Sequence, residues 1–195
     1  SSGSGKSTIA RVALQLLPIG SYCEGQVFIN GQDPRKVNSN KLRRLRGEEI
    51  GLVFQDPMTR LNPLMSVGEH LIDTLRAHYP GRDFQYYRNR SKDLLLKVGI
   101  SPSRFNAYPH EFSGGMRQRV IIALAISLNP ALIIADEPTT SLDSEVASKV
   151  MGVLKSLCDE LGTSLLLITH DLGMAFNWCD QIAILDQGKI VEKGS

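Results

Sequence analysis

The apolar positions along the chain fall into two textures, strand-like runs near both ends and helical spacing between them. After an opening rich in serine and glycine, STIARVALQLLP (7–18) spaces its apolar residues as a helix does, and Pro18 predicts its end. GQVFING (25–31) predicts a strand and a turn, and EEIGLVFQ (48–55) a buried strand ending at Gln55. From Pro57 to about Asn129 the period lengthens. VGEHLIDTLRAHY, YYRNRSKDLLLKVGI and GGMRQRVIIALAISL predict three helices, with PGRD and YPHEFSGG as loops between them. β signals then return. ALIIAD (131–136) is a short apolar run of the kind that sits in a parallel sheet covered on both faces. SEVASKVMGVLKSLCDEL is an amphipathic helix with Ser144 as its expected cap, and TSLLLITH is a second buried strand. DLGMAFNWCD predicts a short helix, and QIAILDQGKIVEKG a hairpin turning at Gln187-Gly188. The order is α/β, helical, then α/β again, which predicts an α/β fold interrupted by a helical insert.

Length and charge narrow the picture. The 195 residues suffice for one large domain or two small ones, and a net charge of +2 gives no argument for nucleic acid. The basic run KLRRLRG (41–47) reads as a solvated face. No apolar stretch reaches the roughly 18 residues of a spanning helix. The cysteines, Cys23, Cys158 and Cys179, are odd in number and lack C-x-x-C spacing, which argues against a disulfide framework or a zinc site and for a reducing compartment.

Candidate chemistry concentrates at two places. The opening SSGSGKST is most of a G-x-x-x-x-G-K-[ST] phosphate loop whose first glycine would stand one place before Ser1. The chain is therefore expected to be a piece of a longer protein that lacks the N-terminal strand feeding this loop. Such a loop, running into a helix, points backbone N–H groups and a helix dipole at an anion. Ser2, Gly3, Ser4, Gly5, Lys6, Ser7 and Thr8 are the expected phosphate-binding residues, with Lys6 reaching the β- and γ-phosphates and the Ser7 hydroxyl on Mg²⁺. The second place is LIIADEP. Asp136 follows a buried strand and can hold the metal through water, and Glu137 can polarise an attacking water.

At FSGGMRQRV followed by LIIADEPTTSLD the sequence resembles the ATP-binding cassette family over essentially its whole length. GSGKST resembles the Walker A motif, LIIADE the Walker B motif, Gln55 in VFQDP the Q-loop glutamine, and His170 in LLITHD the switch histidine. Ser113, Gly114, Gly115, Met116 and Gln118 fall in a stretch that resembles the LSGGQ signature, with Phe112 where leucine is usual and Met116-Arg117 inserted; Ser141-Leu142-Asp143 resembles the D-loop. Taken singly, Gln55 reads as a strand-end glutamine, His170 as a structural histidine, Ser113 equally as a helix cap, and Asp143 as a cap. VFQDPMTRLNPLMSVGEHL and YPHEFSGGMRQRVIIALAI resemble the ATPase subunits of the dipeptide, oligopeptide and nickel importers, with Arg60 where serine is common and Ser141 where alanine is common.

The resemblance implies a P-loop α/β core (1–56 and 131–195) with a mainly helical subdomain (57–130). It implies ATP with Mg²⁺ as cofactors and a role as the ATPase subunit of an importer of peptides or a related small solute. Glu137, His170, Gln55 and Lys6 would be catalytic, and Ser7, Gln55 and Asp136 would serve the metal. Ser113 to Met116, Gln118 and Asp143 would serve an ATP held by a second, identical or homologous cassette. The remaining expected partners are transmembrane permease subunits at the cytoplasmic face of the cell's inner membrane. The alternatives are a soluble cassette without a transport role and a fragment without activity of its own.

Overall fold

The computed structural model describes residues 5–57 and 59–195. Its first element, α1 (Lys6–Ala13), is capped by Gly5 in the left-handed region at φ 94. The helix stops before Pro18 is reached. Gln15 takes φ 52, and the freed carbonyls of Leu14 and Gln15 accept from the Arg46 guanidinium at 2.7 Å each. A cation thus satisfies the end of the helix, where its partial negative charge lies.

The strand expected at 25–31 does not form. Asn30 and Gly31 both have positive φ, 46° and 73°, and close a tight turn in which Ile29 and Gln32 exchange both backbone hydrogen bonds at 2.9 Å. No strand among the described residues pairs with the rest of that segment. The chain continues through α2 (Ser39–Arg44) and an irregular turn, Leu45–Glu49, into β1 (Ile50–Val53).

Between β1 and the next strand every regular element is helical. These are α3 (Val67–His78), α4 (Phe84–Lys97), two 3₁₀ turns (Pro102–Asn106 and Pro109–Glu111) and α5 (Gly114–Ile126). Helix α3 opens with a full capping box, Ser66 accepting from the Glu69 N–H while Glu69 accepts from the Ser66 N–H. Then come β2 (Leu132–Asp136), α6 (Ser144–Leu161), β3 (Ser164–Ile168), α7 (Leu172–Trp178) and the hairpin β4 (Ile182–Asp186) and β5 (Lys189–Gly194). The cap of α6 is Asp143, whose carboxylate accepts the Val146 N–H at 2.9 Å, and not Ser144. The hairpin turns at Gln187 and Gly188, as expected, with φ 45 and 76.

The sheet orders β1-β2-β3, all parallel, with Val53 opposite Ala135 and Asp136 opposite Ile168. Alternation on β2 sends Ile133 and Ala135 into a large core shared with α3 to α6, and Ile134 into a smaller one with Ala10 of α1 and Leu14 just past its end. Each fully buried isoleucine of this strand contributes about 1.5–3 kcal/mol. Close approach fixes the layers. A Cβ on Gly51 would stand 2.4 Å from the Ala125 carbonyl oxygen of α5, and one on Gly115 would stand 2.4 Å from Val146 Cγ1 of α6. Among the described residues no helix is long and apolar enough to cross a membrane.

Candidate functional site

Parallel register decides where the candidate residues meet. All three strands run the same way, so the residues just past their ends leave on one edge of the sheet: Gln55 after β1, Glu137 after β2 and His170 after β3. Crevices at the carboxyl ends of parallel strands are the usual ligand sites of α/β folds. The first turn of α1 reaches the same edge. Ser7 Oγ donates to Asp136 Oδ1 at 2.9 Å across 129 residues of sequence.

Glu137 is held by three contacts. Its own N–H donates to the Ile168 carbonyl at 2.8 Å, and its backbone sits at φ 50, an uncommon conformation for a side chain of this size. Its carboxylate accepts from Thr140 Oγ1 at 3.2 Å. His170 Nδ1 lies 2.8 Å from both carboxylate oxygens, and the tautomer protonated at Nδ1 donates to them. The carboxylate is largely covered, 15% exposed, while the imidazole is 67% exposed. A half-enclosed base with an exposed imidazole beside it suits a group that works on something arriving from solvent. Thr140 escaped the sequence reading, although its place three residues after Glu137 in EPTT is the spacing of a turn that brings a hydroxyl back to a carboxylate.

Beside this group opens a cavity of about 380 Å³ lined by Ser7, Arg11, Phe54, Gln55, Arg60 and Asp136, among others. Gln55 is exposed there, and the Arg60 guanidinium lies 3.9 Å over the Phe54 ring. Lys6 opens α1, and Gly5 offers its carbonyl to the N–H groups of Thr8 and Ile9. Ser2, Gly3 and Ser4 lie outside the described residues.

The signature residues form a second patch. Ser113 caps α5 and accepts the Met116 N–H at 3.4 Å. A Cβ on Gly114 would touch Leu142 at 3.2 Å, so the start of α5 and the turn carrying Asp143 lie side by side. Among the described residues no hydrogen bond joins Ser113, Gly114, Met116 or Asp143 to Ser7, Asp136, Glu137 or His170. Gln118 does not share the patch's exposure. It is 1% exposed and donates to the Phe54 carbonyl at 3.2 Å, tying α5 to the segment that leads into Gln55. Gln118, expected to serve nucleotide, is thus placed in the interior rather than on the patch with Ser113. Gly115 is buried as well, against α6.

These features define an α/β nucleotide-binding cassette, and the sequence profile described as "ABC transporter" matches residues 1–140. The chain belongs to the ABC transporter family. It is 42% identical over 198 residues to the oligopeptide transport ATP-binding protein OppD of Bacillus subtilis, covering 100% of this chain and 55% of that protein. It is also 42% identical over 197 residues to the probable D,D-dipeptide transport ATP-binding protein DdpD of Escherichia coli, covering 99% and 60%. The chain therefore spans little more than half the length of these relatives. Among solved structures, a dimeric post-hydrolysis state of the ATP-binding cassette MJ0796, bound to ADP and Pi, superposes with a TM-score of 0.85 at 33% identity, covering 100% of this chain and 82% of that one. The cbiO1 subunit from Clostridium perfringens, part of the ABC transporter complex cbiONQ, gives 0.84 at 28% identity, covering 100% and 74%.

Proposed function

We propose that this chain is the ATP-binding and hydrolysing cassette of a membrane importer, with peptides or a related small solute as cargo. The observation that carries the reading is the meeting of Ser7, Asp136, Glu137 and His170 at one edge of a parallel sheet. The identity to OppD and DdpD supports the peptide class of cargo. The dimeric relative supports a second cassette, and the transport names support permease subunits and a place on the cytoplasmic face of the cell's inner membrane.

The donor set fits Mg²⁺. Among the described residues no three His, Cys, Asp or Glu side chains converge on one point, so the protein alone builds no metal cage. It offers a hydroxyl and a carboxylate 2.9 Å apart, hard oxygens of the kind Mg²⁺ uses beside phosphate and water. Ser7 and Asp136 would hold the ion, with Gln55 in the same cavity. When bound, the ion would neutralise charge on the phosphate oxygens.

The chain's own groups divide the remaining work. Lys6 and the N–H groups at the start of α1 bind the phosphates. Glu137 orients a water and takes up its proton as the oxygen attacks the γ-phosphorus in line, the bond from the γ-phosphorus to the β–γ bridging oxygen breaks, and ADP leaves with phosphate as the other product. His170 and Thr140 hold the carboxylate that does this, and the exposed imidazole would contact the γ-phosphate. Ser113 and the exposed N–H groups of α5 contact the ATP bound to the partner cassette, with Asp143 at the same interface. Removing one charge-assisted contact by Lys6→Ala should weaken ATP binding by about 1.5–3 kcal/mol. Equal binding and turnover in that variant would remove the loop assignment. Co-purification of the full-length protein with a transmembrane permease checks the importer reading; its persistent isolation alone would favour a soluble cassette.

A further inference from the structure

The chain between β1 and α3 is fastened near both ends by side chains from helices. At one end Gln118 of α5 donates to the Phe54 carbonyl at 3.2 Å. At the other, the Asn62 N–H donates to Nε2 of His70, in the first turn of α3, at 2.9 Å. Between them the chain folds on itself. The Thr59 hydroxyl donates to the Asp56 carbonyl at 3.1 Å, and the N–H groups of Arg60 and Leu61 donate to the Pro57 carbonyl. Asn62 closes a second turn, its side chain accepting the Leu64 N–H at 3.0 Å and its carbonyl the Met65 N–H at 3.1 Å. Asn62 is thus the joint between the turn that follows Gln55 and the turn that enters α3.

These bonds select one charge state of the half-buried His70. A backbone N–H can only donate, so Nε2 accepts it with a lone pair. Nδ1 lies 2.8 Å from the Ser66 carbonyl, which can only accept, so Nδ1 carries the proton. The imidazole that makes both bonds is neutral. Protonation would set a second N–H at Nε2 against the Asn62 N–H, donor to donor. Histidine changes charge between about pH 5 and 8. Its acidic neighbours are Glu69 and Asp73 on its own helix, and the Ser66 N–H holds the Glu69 carboxyl below the usual carboxylate range. Cations on the surrounding elements are engaged elsewhere: Arg88 over Phe105, Arg104 over Phe112, Arg60 over Phe54, and Arg117 on the Pro109 carbonyl. Among the described residues His70 enters no ion pair. We propose that His70 is a positioning residue for the segment carrying Gln55 and holds it only while the imidazole is uncharged; this rests on the reading of Gln55 as part of the nucleotide site. On protonation Asn62 loses its acceptor, and the cavity wall formed by Gln55, Asp56, Thr59 and Arg60 loses a tie to α3.

Hydrogen exchange at the Asn62 amide of the full-length protein tests the latch without ATP. It is read by fragment mass spectrometry and corrected for the intrinsic effect of pH. The wild type should exchange about fivefold faster at pH 5.5 than at pH 8. His70→Gln keeps an acceptor that does not titrate and should exchange alike at both; His70→Leu should exchange fast at both. Equal protection of the wild type at both pH values overturns the proposal, as does a His70→Gln variant that keeps the wild-type pH dependence. Positioning is read from hydrolysis of Mg²⁺-ATP by the full-length protein with its permease. Between pH 8 and pH 6 the wild-type kcat should fall about threefold further than that of His70→Gln, with KM for ATP little changed. Identical pH profiles would overturn the positioning role. A wild type without ATPase activity at pH 8 would instead contradict the cassette reading, and exchange at Asn62 would still decide whether His70 latches the segment.

Discussion

The hydrogen bond from Ser7 to Asp136 joins residues 129 positions apart in the sequence, and the chemistry proposed for the site begins there. If the hydroxyl and carboxylate share a Mg²⁺, Ser7→Ala should leave a defect that depends on metal concentration. Raising Mg²⁺ should recover most of the hydrolysis lost at low Mg²⁺; a defect indifferent to Mg²⁺ would take Ser7 off the metal. A different residue-scale test concerns Cys158. Burial pushes its thiol up to about 11, so the nucleophilic thiolate is scarce at neutral pH. Iodoacetamide at pH 8 should spare Cys158 in the folded protein and modify it after unfolding in urea, as read by peptide mass spectrometry. Rapid modification of the native protein would mean that α6 opens in solution.

Among the elements, α5 and α6 show how a motif can serve packing. Gly115 belongs to the signature stretch, yet its Cβ position falls 2.4 Å from Val146 Cγ1. Gly115→Ala should lower stability by about 1–3 kcal/mol through overpacking, shifting the urea midpoint with an unchanged m-value. Adding Val146→Ala should return much of the loss, whereas a double variant no more stable than the single one would assign the cost elsewhere. The elements themselves were largely legible. LIIAD and SLLLI are short apolar runs between turn signals and form strands where expected, but β3 is half-exposed where a buried strand was expected; the three helices of the insert also form, α5 being buried on most sides. GQVFING misled because its β-rich composition says nothing about a partner, and the two left-handed residues at Asn30-Gly31 close it into a turn. Asp143 rather than Ser144 caps α6 because the two stand side by side in sequence and only backbone geometry selects between them. Gln118 could not be separated from its neighbours by pattern, since facing inward depends on where α5 meets the end of β1.

On the scale of the whole molecule, the nucleotide edge and the signature patch occupy separate elements, and no hydrogen bond joins them among the described residues. In the proposed reading two copies facing each other would complete both sites, and the similar cassette MJ0796 is itself dimeric with ADP and Pi bound. A variant that holds ATP without cleaving it should therefore accumulate as a dimer, seen as earlier elution in size-exclusion chromatography. Ser113→Arg in the same chain should abolish that shift by placing a long cation at the cap of α5, and a dimer that survives it would move the interface. The most direct measurement of the account compares ATP binding with turnover in Glu137→Gln, made in the full-length protein with its permease. The substitution keeps the shape of the side chain and removes the charge and the basic oxygen. Affinity for ATP should persist or rise, because Lys6 and the helix N-terminus carry the binding, while hydrolysis should fall by about 10²–10⁴-fold. Turnover near the wild-type rate would contradict the account, and the catalytic role would then pass to Gln55 or His170.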